Sequence, residues 1–226
     1  LPKRIPSSIW YIASRVVLYR DQGVDSALTL TATALETIWL VLSGLSIYLL
    51  SLPFWVGVGE PAQLDLRLVA VAAACLALTL ASPFWSPLLL RGVRWLLARM
   101  GIAVSVRLAA RDVLPLLGLS GLAWVGGGVV LYVVANAMTP VPPAQLPAVI
   151  GAWAASGAVS LSAGLLVSGM GLREVTLTVL LGNLVPLPVA VAISLLFRVL
   201  LMVGELVWAL IFATLAGGVG RIPPKE

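Results

Sequence analysis

Between Val113 and Leu172 the chain reads VLPLLGLSGLAWVGGGVVLYVVANAMTPVPPAQLPAVIGAWAASGAVSLSAGLLVSGMGL, 60 residues without one charged side chain. A membrane-spanning helix takes about 20 apolar residues, so this run is long enough for two. The segment Thr139-Pro-Val-Pro-Pro-Ala-Gln-Leu-Pro147 divides it, because proline lacks the N–H that helix continuation requires. The run is continuously apolar and does not alternate, which points to helices and not to a β-barrel. Gly121, Gly126–Gly128, Ala152, Ala155 and Gly157 form small-residue patterns of the kind that let helices pack closely.

The rest of the chain agrees. Of 226 residues 61% are hydrophobic and 10% charged, against roughly 25% charged in an ordinary soluble domain. The mean hydropathy is +1.09. A water-soluble enzyme and a disordered chain are both excluded. Histidine is absent and Cys75 is the single cysteine. Imidazole catalysis, an internal disulfide and a His- or Cys-based metal site are therefore ruled out. The net charge of +5 is attributed to loops beside anionic lipid, not to nucleic acid.

Working outward gives a single all-α membrane domain over 1–226 with about six membrane helices, at 27–52, 68–90, 113–137, 148–168, 172–185 and 188–215. Residues 1–26, with Trp10, Tyr11 and Tyr19 among Arg15 and Arg20, suit an interfacial segment. The connection 91–112 holds Arg91, Arg94, Arg99, Arg107 and Arg111 against Asp112 alone. Its basic, amphipathic character fits the cytoplasmic leaflet. The positive-inside rule then places the N-terminal segment, 91–112 and the Arg221/Lys225 tail in the cytoplasm. Trp39, Trp55, Trp85 and Trp95 are expected in aromatic belts at span ends. With both ends inside, 172–215 crosses twice around Pro186-Leu-Pro188; a re-entrant pair at 169–190 is the alternative.

The segment Ser168-Gly-Met-Gly-Leu-Arg-Glu-Val175 joins two apolar runs. Gly169 and Gly171 permit a bend, and a helix starting near Leu172 presents free N–H groups beside Arg173. That combination suits a phosphate; a plain turn with Glu174 capping the helix is the other reading. Arg198 and Glu205 stand two helical turns apart on one face. An intramembrane charge costs about 2.5–3.5 kcal/mol on insertion scales, so Arg198 faces protein, water or ligand. It lines a polar groove for a lipid head group, or it forms a structural pair with Glu36 or Glu174. Glu36, in Ala34-Leu-Glu-Thr37, is either an interface or a groove residue. Asn136, Asn183 and Gln145 read as helix-end or loop residues. No phosphate-binding glycine loop, Walker lysine or paired carboxylates occur.

The pattern Gly169-x-Gly171-Leu-Arg173-Glu174, followed by Ala190…Ser194-Leu-Leu-Phe-Arg198…Glu205, resembles the flippase-like membrane domain of the lysylphosphatidylglycerol synthase transmembrane family. The likeness extends over most of 1–215 and includes Gly23-Val24 and Glu36. Val167-Ser168 replaces the Pro-Gly that precedes the turn in that family. The match corresponds to the C-terminal two-thirds of a usual member, so one or two spans are expected ahead of Leu1. The resemblance implies lipid translocation in a bacterial inner (plasma) membrane. Arg173, Glu174, Arg198, Glu205, Glu36, Gly169 and Gly171 would serve an anionic phospholipid or polyprenyl-phosphate head group. Neither cofactor, metal nor catalytic residue is implied. The competing expectations are a membrane enzyme or accessory subunit of lipid-linked glycan synthesis, a structural subunit pairing with a partner membrane protein or a second copy, and a small-solute transporter.

Overall fold

The computed structural model describes residues 15–55, 66–99, 110–164 and 171–217, and within them the chain forms helices and turns without a strand. The helices are α1 (15–21), α2 (Ser26–Ser51), α3 (Leu66–Leu80), α4 (Ser82–Arg99), α5 (Ala110–Met138), α6 (Leu146–Gly164), α7 (Leu172–Leu181) and α8 (Leu187–Gly217). Four stretches are long and apolar enough to cross a membrane: Ser26–Phe54, Val113–Met138, Pro143–Ala163 and Leu187–Phe212. These make the chain a multi-pass membrane protein of the all-α class.

Local chemistry sets the boundaries. Asp25 caps α2, its carboxylate accepting from the Ala27 N–H at 3.1 Å. The hydroxyls of Thr29, Thr31, Thr33 and Thr37 each donate to the carbonyl four residues back, so α2 satisfies its own polar side chains. Between α5 and α6 the Asn136 carbonyl accepts from the Val141 N–H and the Tyr132 hydroxyl donates to the Val141 carbonyl, both at 3.0 Å. Asn183 lies in the turn after α7 and Gln145 in the 3-10 turn before α6.

Two helices expected from the sequence are reshaped. The uncharged run 68–90 is not one helix: α3 ends at Leu80 and α4 starts at Ser82. Pro83 has no N–H to extend α3, yet it fits the first turn of a new helix. α4 then runs on to Arg99, so the basic stretch from Arg91 is the second half of that helix and not a separate one. The helix expected over 172–185 stops at Leu181, where the Gly182 N–H closes onto the Thr178 and Leu180 carbonyls. Residues 1–14 and 165–170, most of the 91–112 connection beyond Arg99, and the Arg221/Lys225 tail lie outside the described residues.

α6 is the centre of the bundle, packed against α2, α5 and α7, while α8 packs on α7 and α5. Residues 151–158 of α6 are all buried, and most are Gly, Ala or Ser. Their small size lets neighbouring backbones approach. A Cβ on Gly128 of α5 would stand 2.6 Å from the Ile150 Cα, so α5 and α6 touch backbone to backbone there. Gly128→Leu is expected to destabilise the bundle by about 1–3 kcal/mol. Gly126→Leu, where a Cβ would meet nothing within 4 Å, is expected to leave it unchanged. Thermal midpoints of the two variants in mild detergent compare them directly.

The tryptophans depart from a simple belt. Trp39, near the middle of α2, is only 2% exposed. Trp124 on α5 is buried and its indole N–H is placed toward the Leu40 carbonyl (3.2 Å) and the Ser43 hydroxyl (3.1 Å) of α2. It serves as a polar staple between helices. Trp55, by contrast, lies past the end of α2, bonded to Ser51, and Trp95 is exposed on α4 with the Arg99 guanidinium over its ring.

Candidate anion site at the broken helix

Three aromatic rings form a layer across the bundle. Trp153 of α6 meets Trp124 of α5 edge-on at 6.5 Å and Phe197 of α8 edge-on at 5.0 Å. Trp153 stands about two turns into α6, and Phe197 about three turns into α8, so the layer lies well inside both helices. Small neighbours make room for it: a Cβ on Gly157 or Gly127 would collide with the Trp124 or Trp153 ring respectively.

α7 begins at this layer. Gly171 precedes it with φ +94°, a left-handed conformation that favours glycine. The chain therefore turns sharply and starts a helix whose first-turn N–H groups lack intrahelical acceptors. Arg173, the second residue of α7, places its guanidinium carbon 3.8 Å from the Trp153 ring centroid. Stacking on an aromatic face fixes the planar group and offsets part of its desolvation. Its Nε is buried without an acceptor.

Glu174 points elsewhere. Its Oε1 accepts from the Arg198 Nη1 of α8, while its Oε2 is buried without a donor. The Arg198 side chain is 35% exposed and that of Glu174 19%. Thr178, one turn on, donates to the Ser194 hydroxyl at 3.0 Å, and Ser194 donates to the Ala190 carbonyl at 2.8 Å. The small buried Ala190 and Ser194 let α7 lie close on α8. Arg173 also lies within electrostatic reach of Glu174 and of Glu205. Glu205 is exposed on α8 and forms no ion pair among the described residues.

No family model, curated protein or solved structure matches this chain. The site is therefore read from its own geometry.

Of the residues singled out in the sequence, Arg173, Glu174 and Arg198 come together, with Gly171 shaping the turn and Glu205 at the edge. Glu36 is committed elsewhere: it accepts from Arg15 of α1 at 2.6 Å, in a cleft of about 260 Å³ lined also by Tyr19, Thr29 and Thr33. Gly169 lies outside the described residues. Arg198 has the partner that the structural-pair reading named, Glu174, whereas Arg173 has an aromatic platform and, among the described residues, no carboxylate hydrogen-bonded to it. Trp153 was not among the sequence candidates. Its one signal was bulk, a tryptophan between Gly151 and Ala154-Ala155 in a charge-free run.

Chemically the arrangement offers guanidinium N–H donors and a helix start. These are groups that hold an oxyanion. Among the described residues no three His, Cys, Asp or Glu side chains converge to hold a metal ion.

Proposed function

We propose that the protein binds the phosphate of an anionic phospholipid or polyprenyl-phosphate head group at Arg173 and Arg198 and helps that lipid cross the bilayer. The reading rests on Arg173, a cation stacked on Trp153 inside the bundle with no carboxylate bonded to it among the described residues. A charge placed there is costly, and the carboxylate of the next residue, Glu174, is bonded to Arg198 instead. The resemblance to the flippase-like domain of the lysylphosphatidylglycerol synthase family points the same way. The Glu174–Arg198 pair favours a second reading, a structural subunit, in which Arg173 only fastens α7 to Trp153 and its buried Nε has no acceptor among the described residues.

The path of α7 supports a route for a head group. Its ten residues rise about 15 Å, half of a hydrocarbon core of about 30 Å. Starting at the Trp153 level, α7 completes only the second half of a crossing, and α8 then returns through the full thickness. With 68–90 as a crossing bent at Ala81, six crossings result and both ends face the cytoplasm, as the arginine-rich 91–112 connection requires. In a bacterial inner membrane the half-length helix leaves α6 and α8 flanking an approach to the two arginines. Transporter sites are built in this way, at broken helices near the bilayer midplane.

Scrambling of a labelled phosphatidylglycerol in reconstituted vesicles tests the proposal. Arg173→Ala and Arg198→Ala are each expected to slow it at least about tenfold, since a charge-assisted hydrogen bond contributes about 1.5–3 kcal/mol. Parental rates in both variants would overturn the assignment.

A further inference from the structure

α7 is fastened differently at its two ends. Its C-terminal half is held by Leu177 and Leu181, both buried, and by the bond from Thr178 to Ser194. Its first turn buries no apolar side chain, since Leu172 and Val175 are exposed. That turn is held by Glu174 on Arg198 of α8 and by Arg173 on Trp153 of α6.

We infer that Glu174 is a resident stand-in for the ligand's oxyanion, and that an arriving phosphate exchanges with it at Arg198 and thereby unlatches the first turn of α7. The inference rests on the anion-site reading above. A carboxylate and a phosphate compete for the same guanidinium donors, and a phosphate engages them in bidentate fashion. Glu174 is weakly placed to resist. Only its Oε1 is bonded, and its Oε2 is buried with no donor, so part of its desolvation is uncompensated. Arg198 is approachable, because its side chain is 35% exposed and the neighbouring Val199 and Leu195 are exposed as well. The Arg173 Nε, without an acceptor, offers the arriving anion a second donor on the same turn. In the empty state Arg198 thus holds a protein carboxylate and the first turn is latched; in the loaded state Arg198 holds the ligand and the turn is released. Only the first turn of α7 moves between them.

The full chain in phosphatidylcholine nanodiscs, plain or doped with phosphatidylglycerol or with a polyprenyl phosphate, provides the test. Amide hydrogen exchange over 172–185 is read beside retained lipid. The anionic lipid that binds is expected to speed exchange about tenfold at the amides of 175–177, the first of which bonds to the Gly171 carbonyl and closes the first turn of α7, while leaving 187–197 unchanged. Whichever of the two dopants does this identifies the source of the phosphate. Glu174→Gln is expected to exchange fast in every disc and to bind that lipid about tenfold more tightly, since the competitor is gone. Binding to the parent chain with no change in exchange would overturn the latch and leave the anion site standing. No binding of either lipid would overturn both. The parent-chain measurement does not depend on how well the variant folds.

Discussion

Trp153→Ala is expected to lower the stability of the bundle by about 3–5 kcal/mol, the usual cost of deleting a large buried aromatic side chain. The ring is 7% exposed and meets Trp124, Phe197 and the Arg173 guanidinium, so its loss opens a void between α5, α6, α7 and α8. In a membrane the loss is one of packing and not of exclusion from water, because lipid tails do not refill an interior cavity as the ring did. Thermal unfolding in mild detergent measures it. Trp153→Phe is expected to recover much of the stability, but with a weaker hold on Arg173, since indole is the better cation platform. Trp208→Ala is the control: Trp208 is 60% exposed on α8 and stacks on Phe212 of the same helix, so its removal is expected to change stability by less than about 0.5 kcal/mol. Equal losses at the two positions would mean that the aromatic layer does not organise the bundle.

Arg198→Met is expected to destabilise the protein by about 3 kcal/mol, because it leaves the Glu174 carboxylate without its cation between α7 and α8. Glu174→Gln is expected to cost less, as Arg198 is partly exposed and reaches outward. The double variant Arg198→Met/Glu174→Gln is expected to regain most of the loss, since neither member of the pair is left charged without the other. It loses lipid translocation all the same, because a cation has gone. A stable but inactive double variant separates what the pair does for the fold from what Arg198 does for the ligand. Strictly additive losses would show that the two groups are not coupled.

Much of this architecture was legible in the letters. Absence of charge over 113–172 and the prolines at 140–147 marked α5 and α6 to within a few residues, because lipid tolerates few alternatives to an apolar helix. Arg173, Glu174 and Arg198 stood out because ionisable side chains are rare in such runs. Other features were hidden for physical reasons. The bend at Ala81 lies inside a run whose composition never changes; only Ser82-Pro83 hinted at a new start. The pairing of Glu36 with Arg15 joins residues on different helices, and helical periodicity does not reach across a turn. Trp153 and Trp124 stayed hidden because tryptophan in a membrane protein is expected at the interfaces. Here glycines on the facing helices leave room for both rings inside the bundle.

The self-bonded hydroxyls of α2 and the Glu174–Arg198 pair impose an order on biogenesis. α2 carries its threonine hydroxyls already satisfied, so it is fit to leave the translocon alone and wait in lipid. α8 is not, for its arginine enters oil at a cost until a carboxylate neutralises it. Because Glu174 is synthesised earlier and sits one tight turn away, the α7–α8 hairpin has its counter-ion in hand as it emerges. Insertion of this last hairpin as a unit, after α6 is in place to receive it, is the assembly route that gives Arg198 its counter-ion and Arg173 its aromatic platform from the start.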